Sequence, residues 1–261
     1  MKTCLIQLYN DTGSGKLSSL QLRTTLQTLF PKASIIETDG RRLCERYLLN
    51  ETTLLCFGGG YDLGFLETLG PSGCAVIRDF IQKGGRYLGL CAGAYFASDQ
   101  CVFDKGGPLE VCGQRFIRLF EGDAVGPYYP GFVYHSNEGC RAASVERTNE
   151  TLKVPAAVSY FNGGPTFQCQ RWHRSKVLYT YGNSNDPAII ACRLGRGWGV
   201  LSGVHFEYDP KLLYEDDPTV HVKRVCDELW AGNECRMELL RQLVGDLLNP
   251  DSNLVSDLPC E

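Results

Sequence analysis

The chain has 261 residues, of which 43% are hydrophobic and 21% charged, and its formal net charge at pH 7 is -4. A chain of this length fits one large domain and buries an apolar core without needing disulfide bonds. The slightly acidic balance, without any basic stripe, argues against nucleic acid as a partner, because phosphate binding needs clustered positive charge.

The N-terminal segment and the cysteines indicate the cellular compartment. The apolar run that follows Met1 reaches polar residues by Asn10, which is too short for a signal peptide, and no run of about 18 apolar residues predicts a membrane helix. Thirteen cysteines in such a chain indicate reduced thiols and a cytoplasmic location. Cys169 and His173 form a CxxxH pattern without a second ligand pair, so we predict no metal site. No other cofactor is implied.

The first half of the chain alternates predicted strands with predicted helices. Four short apolar runs lie between turn residues and are predicted as strands: 3–9, 33–38, 53–57 and 86–90. Between them, Leu22, Leu26 and Leu29 share one face of a helix that ends before Pro31, and a second helix is predicted over 71–83. This alternation predicts an α/β fold with a mostly parallel sheet flanked by helices.

The second half of the chain is predicted to be richer in strands. Short strands separated by turns are predicted at RFIRLF (115–120), AAVSYF (156–161), KVLYTY (176–181) and AIIACR (188–193). They indicate a β-rich, antiparallel extension over roughly 105–185. Residues 191–203 are predicted to form a hairpin that turns at Gly195 and returns in a strand ending at His205.

A last helix is predicted near the C-terminus. Asn233 is predicted to cap it, and its apolar face is predicted to contain Met237, Leu240, Val244 and Leu247. Because no linker or repeat interrupts the chain, we interpret residues 1–261 as a single domain.

The segment GLCAGAYFAS (89–98) contains a candidate nucleophile. Cys91 directly follows the predicted strand over 86–90 and precedes a predicted helix that begins near Ala92. A sulfur at a helix N-terminus is close to the positive end of the helix dipole, which favours a thiolate. The small residues Gly89 and Gly93 suit a strained turn between strand and helix. We therefore predict that Cys91 is a nucleophile.

A base and its orienting group are predicted in the segment SGVHFEYDP. His205 and Glu207 are two positions apart on a predicted strand end, where alternation directs both side chains to one side. The oxyanion formed in an acyl-transfer reaction would be bound by backbone N–H groups. We predict Ala92 and either Gly59 or Gly60 as the donors.

These pieces carry a family resemblance. The glycine turn FGGGYD, the elbow GLCAGA and the later GVHFE have the order and rough spacing found in class I glutamine amidotransferases. When the segment AAVSYFNGGPTF is included, the chain more closely resembles the N-terminal domain of biotin-protein ligases. This resemblance covers residues 1 to about 210. The resemblance implies a flavodoxin-like fold in which Cys91 is the nucleophile, His205 the base and then the acid, and Glu207 the orienting residue.

Two departures from the superfamily pattern limit what the resemblance implies about substrate. Tyr95 stands where the glutaminases have glutamine, and Phe206 stands where they have proline. Glutamine hydrolysis is therefore not implied. The elbow also resembles that of cyanophycinase-like peptidases, so the expected substrate is a small molecule or a peptide-like amide.

The predicted substrate pocket contains residues near the elbow and the glycine turn: Tyr61, Asp62, Tyr95, Asn162 and Gly163. His135 and His173 are predicted to be structural. The GSGK segment at 13–16 lacks the flanking residues of a phosphate-binding loop.

Two alternatives remain open. The chain could be a ligand-binding or regulatory module that retains the pocket without turnover, with a protein partner that the sequence does not identify. It could also be a lyase or deglycase-like enzyme on the same fold, but it lacks the acidic residue on an early strand that such proteins place beside the thiol.

Overall fold

A computed structural model describes residues 4–45, 49, 51–182 and 184–260. Position 3 of the first predicted strand lies outside the described residues. In chain order the elements are β1 (Leu5–Tyr9), α1 (Lys16–Leu29), β2 (Ser34–Thr38), α2 (Gly40–Cys44), β3 (Leu54–Phe57), α3 (Asp62–Gln82), β4 (Arg86–Leu90), α4 (Ala92–Ala97), β5 (Ser98–Phe103), β6 (Val111–Gln114), β7 (Phe120–Gly126), β8 (Arg141–Arg147), β9 (Ala156–Phe161), β10 (Thr166–Gln168), β11 (Ser175–Tyr181), β12 (Pro187–Leu194), β13 (Gly197–Ser202), α5 (Pro210–Asp216), α6 (Val220–Ala231) and α7 (Asn233–Leu248).

The main sheet has nine strands in the order β2-β1-β3-β4-β13-β12-β11-β8-β9. Every pair from β2 to β13 is parallel, and every pair from β13 to β9 is antiparallel. The parallel half needs crossover connections, and α1 and α3 provide two of them. The predicted α/β fold class is therefore confirmed, with the parallel strands concentrated in one half of the sheet.

Helices cover both faces of the main sheet. One buried cluster joins Leu26 of α1 and Leu240 of α7 with Leu54 of β3. A separate cluster joins Ile77 of α3 with Leu55, the next residue of β3. Because successive strand residues point to opposite faces, α1 and α7 cover one face and α3 covers the other.

A second, four-stranded sheet has the order β10-β7-β5-β6. Its central strands β5 and β7 are parallel, and the two outer pairs are antiparallel. Phe103, Phe120 and Phe167 from this sheet belong to the same buried cluster as α3. The segment 105–185 therefore contributes strands to both sheets.

The predicted strand over 115–120 is wrong, since residues 115–119 form a loop and β7 begins only at Phe120. Arg115 is 2% exposed, and its Nε donates a hydrogen bond to Asp62 Oδ2 at 2.6 Å. A buried ion pair with α3 thus determines the path of this segment, which a pattern of apolar residues cannot reveal.

The predicted end of the hairpin is also wrong, because β13 ends at Ser202. The Ser202 hydroxyl donates to the Val204 carbonyl at 2.7 Å and accepts from the Val204 N–H at 3.1 Å, which turns the chain. His205 therefore lies beyond β13, in an isolated antiparallel bridge with Tyr160, and its N–H donates to the Tyr160 carbonyl at 2.7 Å.

The predicted helix over 71–83 is confirmed, whereas the predicted start of the last helix is not. Helix α3 consists of two helices joined at a kink, since Gly70 has a φ of 55° and a ψ of -172°, and the second of them follows Gly70. Helix α7 begins at Asn233, so the cap is Gly232 and the predicted Asn233 cap is wrong. Its buried face is wider than predicted and includes Arg236.

Candidate active site

Cys91 connects β4 to α4 in a strained backbone conformation. Its φ is 51° and its ψ is -104°, in a region that residues with a Cβ rarely adopt. The Cys91 N–H donates to the Ser202 carbonyl of β13 at 2.8 Å, which anchors the turn to the neighbouring strand. The side chain is 7% exposed. The sulfur is thus held at the carboxyl ends of parallel strands, directly before the first helical residue Ala92.

A close backbone approach brings this elbow beside the glycine turn after β3. A Cβ at Gly93 would lie 2.2 Å from the Phe57 carbonyl oxygen, so only glycine allows α4 to pack so closely on the end of β3. The Gly93 N–H donates to the Gly58 carbonyl at 3.1 Å, and Tyr87 donates its hydroxyl hydrogen to the Gly93 carbonyl at 2.9 Å.

His205 and Glu207 form a buried pair. Nδ1 of His205 lies 2.7 Å from Oε1 of Glu207, and the two residues are 3% and 0% exposed. Burial lowers the pKa of His205, but the Glu207 charge and hydrogen bonds with Cys91 and Glu207 outweigh burial and raise the pKa to about 10. The Glu207 charge therefore favours the protonated imidazole.

The glycine turn approaches the His205 ring and contains one free backbone donor. A Cβ at Gly59 would lie 2.6 Å from Cε1 of His205. The Gly59 N–H donates to Ser18 Oγ at 2.7 Å, so the sequence-based assignment of Gly59 as an oxyanion donor is corrected. Among the described residues, the N–H groups of Gly60 and Ala92 donate to no backbone carbonyl outside the helices and strands.

Arg236 of α7 is a buried cation near Glu207 that the sequence interpretation missed. It is 1% exposed, and its guanidinium donates to the Phe206 carbonyl at 2.9 Å and to Asn233 Oδ1 at 2.6 Å. Burial lowers the pKa of Arg236 to about 10, against the charges of Glu207 and Asp209, which raise it. The spacing of Arg236 from Leu240 and Val244 on the predicted apolar face was a signal that this arginine is buried.

Cys91 and His205 line one cavity of about 820 Å³. Every predicted pocket residue also lines this cavity: Tyr61, Asp62, Tyr95, Asn162 and Gly163. The Asp62 carboxylate is already paired with Arg115. Tyr95 is 4% exposed and donates its hydroxyl hydrogen to the Gly163 carbonyl at 3.0 Å. Tyr95 therefore packs into the wall of the cavity beside the elbow.

The loop after β9 contacts the sulfur directly. The Cys91 thiol donates to the Asn162 carbonyl at 3.7 Å, a long contact even for sulfur. The Asn162 side-chain Nδ2 donates to the Ser136 carbonyl at 3.0 Å, which connects this loop to residues 132–137.

Residues 132–137 line the cavity and were not predicted to do so. They include His135, which has a φ of 58° and whose predicted structural role stays a prediction. His173 is exposed and does not line this cavity. No spacing pattern connects residues 132–137 to the elbow, so sequence reasoning had no local signal for them.

The GSGK segment also lies at the cavity, where Ser14, Gly15 and Lys16 contribute to its lining. It packs against the glycine turn, because the Gly15 N–H donates to the Gly59 carbonyl at 2.9 Å and the Tyr61 N–H donates to the Gly13 carbonyl at 2.8 Å. These contacts connect the start of α1 to the site.

Comparison with known proteins establishes the family. The sequence model described as "Biotin-protein ligase, N terminal" matches residues 4–252. The chain belongs to this biotin-protein ligase N-terminal family.

Two relatives of this family member match most of its length. The biotin-protein ligase of Schizosaccharomyces pombe is 33% identical over 211 residues, which are 78% of this chain and 33% of the ligase. The chain thus spans about one third of that ligase. An uncharacterized protein of Chlamydia muridarum is 34% identical over 256 residues, which are 93% of this chain and 96% of that protein.

Solved structures share the fold of this family member at low sequence identity. A protein from Thermoplasma acidophilum described as a candidate GMP synthase component has a TM-score of 0.52 at 11% identity, over 93% of this chain and 98% of that one. A cytoplasmic protein from Salmonella typhimurium LT2 also has a TM-score of 0.52, at 10% identity, over 93% and 99% of the two chains. The chain therefore shares its fold with these two proteins. Each helix in the described part of the chain is too short or too polar to cross a bilayer.

Proposed function

We propose that this protein is a cysteine-dependent, amidotransferase-like hydrolase that cleaves an amide or related acyl bond through a thioester. The observation that carries this proposal is that Cys91, on a strained elbow, lines the same cavity as His205, whose Nδ1 lies 2.7 Å from Glu207. A nucleophile, a base and an orienting carboxylate in one site are the parts that acyl transfer needs.

In the first half of the reaction, the sulfur forms a bond to the substrate carbonyl carbon. His205, whose pKa is raised by the Glu207 charge, takes the thiol proton of Cys91 as the sulfur attacks. The carbonyl oxygen becomes an oxyanion, and the free N–H groups of Gly60 and Ala92 are the available donors. The C–N bond then breaks as His205 gives its proton to the leaving nitrogen, which departs as the amine.

In the second half, the neutral His205 accepts a proton from water while the water oxygen attacks the thioester carbon. The C–S bond breaks, the carboxylic acid leaves, and His205 returns its proton to the Cys91 sulfur. Glu207 holds Nδ1 of the ring throughout, so that the other ring nitrogen faces the reaction. No cofactor or metal takes part in these steps.

Tyr95 supports a substrate other than glutamine. Its buried ring and its hydrogen bond to Gly163 occupy the wall four residues after the nucleophile, where glutaminases have a glutamine side chain. We therefore propose a small-molecule or peptide-like amide as the substrate, with no nucleic acid or membrane partner.

Two wider interpretations accompany the proposed function. We interpret residues 1–261 as one domain with a β-rich extension over roughly 105–185. We also propose a cytoplasmic location, which is supported by thirteen free cysteines, all among the described residues.

The second candidate function is a ligand-binding or regulatory module without turnover. The contact between the Cys91 thiol and the Asn162 carbonyl favours it, because that contact stabilises the protonated sulfur. The similarity to one third of a biotin-protein ligase also fits a module that acts within a larger protein. A Cys91→Ser variant separates the two functions, since a hydrolase loses all amide cleavage and a module keeps its ligand.

The nucleophile is tested by limited alkylation with iodoacetamide and mass spectrometry of each cysteine. We expect buried Cys91 to react at least about ten times faster at pH 7 than the exposed Cys112 and Cys235. Glu207→Gln removes the charge that raises the pKa of His205, so the rate at Cys91 is expected to fall by on the order of 10²-fold at pH 7. Labelling of Cys91 no faster than of Cys112 would contradict the proposed nucleophile.

A further inference from the structure

We propose that the cavity binds a neutral amide that carries an aromatic ring, with the ring seated on an aromatic wall next to the thiol. The aromatic wall consists of Phe103, Phe132 and Tyr134. This inference rests on the proposed function for the role of Cys91, and it adds the chemical class of the substrate.

The aromatic wall is a connected set of rings. Phe132 packs edge-on against Phe103 with ring centres 5.3 Å apart and against Tyr134 at 4.9 Å. Tyr95 packs edge-on against Phe103 at 5.8 Å, which joins the wall to the helix that follows Cys91. Aromatic pairs favour this edge-to-face geometry, so another ring could add to the set in the same way.

Exposed apolar side chains gather at this cavity. Eleven large hydrophobic side chains are exposed among the described residues, and four of them line this one cavity. These four are Tyr61, Leu63, Val133 and Tyr134, with exposures of 46%, 44%, 41% and 37%. Exposed apolar side chains that gather around one cavity are typical of a ligand site, because binding removes them from water.

The charges at the cavity favour a neutral ligand over a zwitterion such as glutamine. The Asp62 carboxylate is paired with Arg115, whose side chain is 2% exposed, so neither charge is free. Lys16 and Asp216 also line the cavity, but both are exposed and remain hydrated. His205 also lines the cavity, but its Nδ1 lies 2.7 Å from Oε1 of Glu207, so this pair is already formed. A charged ligand group would therefore lose its own hydration without gaining an unpaired buried partner.

The test compares three electrophiles that differ only in the group beside the reactive chloroacetamide: chloroacetamide, N-benzyl-2-chloroacetamide and 4-(chloroacetamidomethyl)benzoate. Each rate at Cys91 is divided by the rate of the same probe with glutathione, which removes intrinsic reactivity. We expect the benzyl probe to exceed chloroacetamide by about tenfold, and the benzoate to lose most of that gain. About 820 Å³ is room enough for all three probes.

Variants assign the preference to the aromatic wall. Tyr134→Ala and Phe132→Ala are expected to bring the benzyl-to-chloroacetamide ratio close to one. Trp230→Ala is the matched control, because Trp230 is 51% exposed and lies on α6 outside the cavity, and this variant is expected to keep the full ratio.

The outcomes distinguish this inference from the proposed function. Rapid alkylation of Cys91 with equal normalised rates for all three probes would overturn the ring preference and leave the nucleophile intact. Should no probe react faster at Cys91 than at Cys112, the proposed function fails. The ring preference is then measured in Cys91→Ser by saturation-transfer NMR with N-benzylacetamide and 4-(acetamidomethyl)benzoate, and equal or absent binding of the two overturns it.

Discussion

The two sides of the cavity are held in different ways. On the strand-end side, backbone bonds fix Cys91 and Gly93 to neighbouring strand ends, at 2.8 Å to Ser202 and 3.1 Å to Gly58. On the loop side, single side-chain bonds connect the segments, such as Tyr95 to Gly163 at 3.0 Å. The geometry of the reactive group therefore depends on the sheet, whereas the substrate wall depends on a few side chains. Substitutions on the two sides should have separable effects.

The largest effect on stability is expected from Arg236, a buried residue on the strand-end side. Arg236→Met removes the buried cation near Glu207, whose Oε2 is buried without a hydrogen-bond partner among the described residues. We expect the free energy of unfolding to fall by about 3–5 kcal/mol, because the buried Phe206 carbonyl loses its donor and Glu207 keeps only His205 as a buried partner. Urea denaturation measures this change.

Matched variants on the same helix identify the cause of that loss. Arg241→Met removes an arginine whose side chain is 50% exposed, and it is expected to change stability by no more than about 0.5 kcal/mol. Arg236→Lys keeps a positive charge and is expected to restore part of the loss. Equal stability of the Arg236→Met and Arg241→Met variants would show that Glu207 does not depend on Arg236.

A smaller effect is expected where the glycine turn meets the imidazole. In Gly59→Ala, the new methyl group would lie 2.6 Å from Cε1 of His205, so the buried ring must move away from its position beside Cys91. We expect a loss of about 1–3 kcal/mol from overpacking and a fall in Cys91 alkylation on the order of tenfold.

Gly245→Ala is the control for the Gly59 variant. Gly245 lies within α7, and a Cβ there meets nothing within 4 Å. Alanine is expected to raise the free energy of unfolding by about 0.5–1 kcal/mol, because glycine is the poorer helix former. If Cys91 were alkylated equally fast in the Gly59→Ala and Gly245→Ala variants, the strand-end side would be more adaptable than its close packing indicates.

The same contrast explains what the sequence could reveal. Strand β4 and the turn at Cys91 follow from a local pattern, an apolar run followed by small residues, and the structure has the strand as predicted over Arg86–Leu90. The pairing of His205 with Glu207 was predicted from strand alternation, yet both residues lie beyond the end of β13, after the turn at Ser202. Local spacing was sufficient to predict the pair but not the backbone conformation of its two residues.

The loop side was only partly predictable, because its contacts join residues far apart in the chain. Phe103 packs against Phe132 in the cavity wall, and Asn162 donates a hydrogen bond to the Ser136 carbonyl. The spacing of these residues in the sequence indicates neither contact. The ion pair between Asp62 and Arg115, which made the predicted strand over 115–120 wrong, is equally non-local. Arg236, on the strand-end side, was missed although its helical spacing from Leu240 and Val244 was a local signal of burial.

The smallest expected effect is on the loop side. Tyr95→Phe removes the hydroxyl group that bonds to the Gly163 carbonyl and keeps the ring that packs on Phe103. The expected loss is about 1 kcal/mol in the free energy of unfolding, together with a severalfold fall in the benzyl-to-chloroacetamide ratio as the loop loosens. Tyr179→Phe is the matched control, because its buried hydroxyl donates to the Val154 carbonyl at 2.9 Å and it does not line the cavity. Tyr179→Phe should cost the same stability and leave the ratio unchanged. If both variants changed the ratio alike, selectivity would follow overall stability and not the bond between Tyr95 and Gly163, and the two sides of the cavity would not be separable.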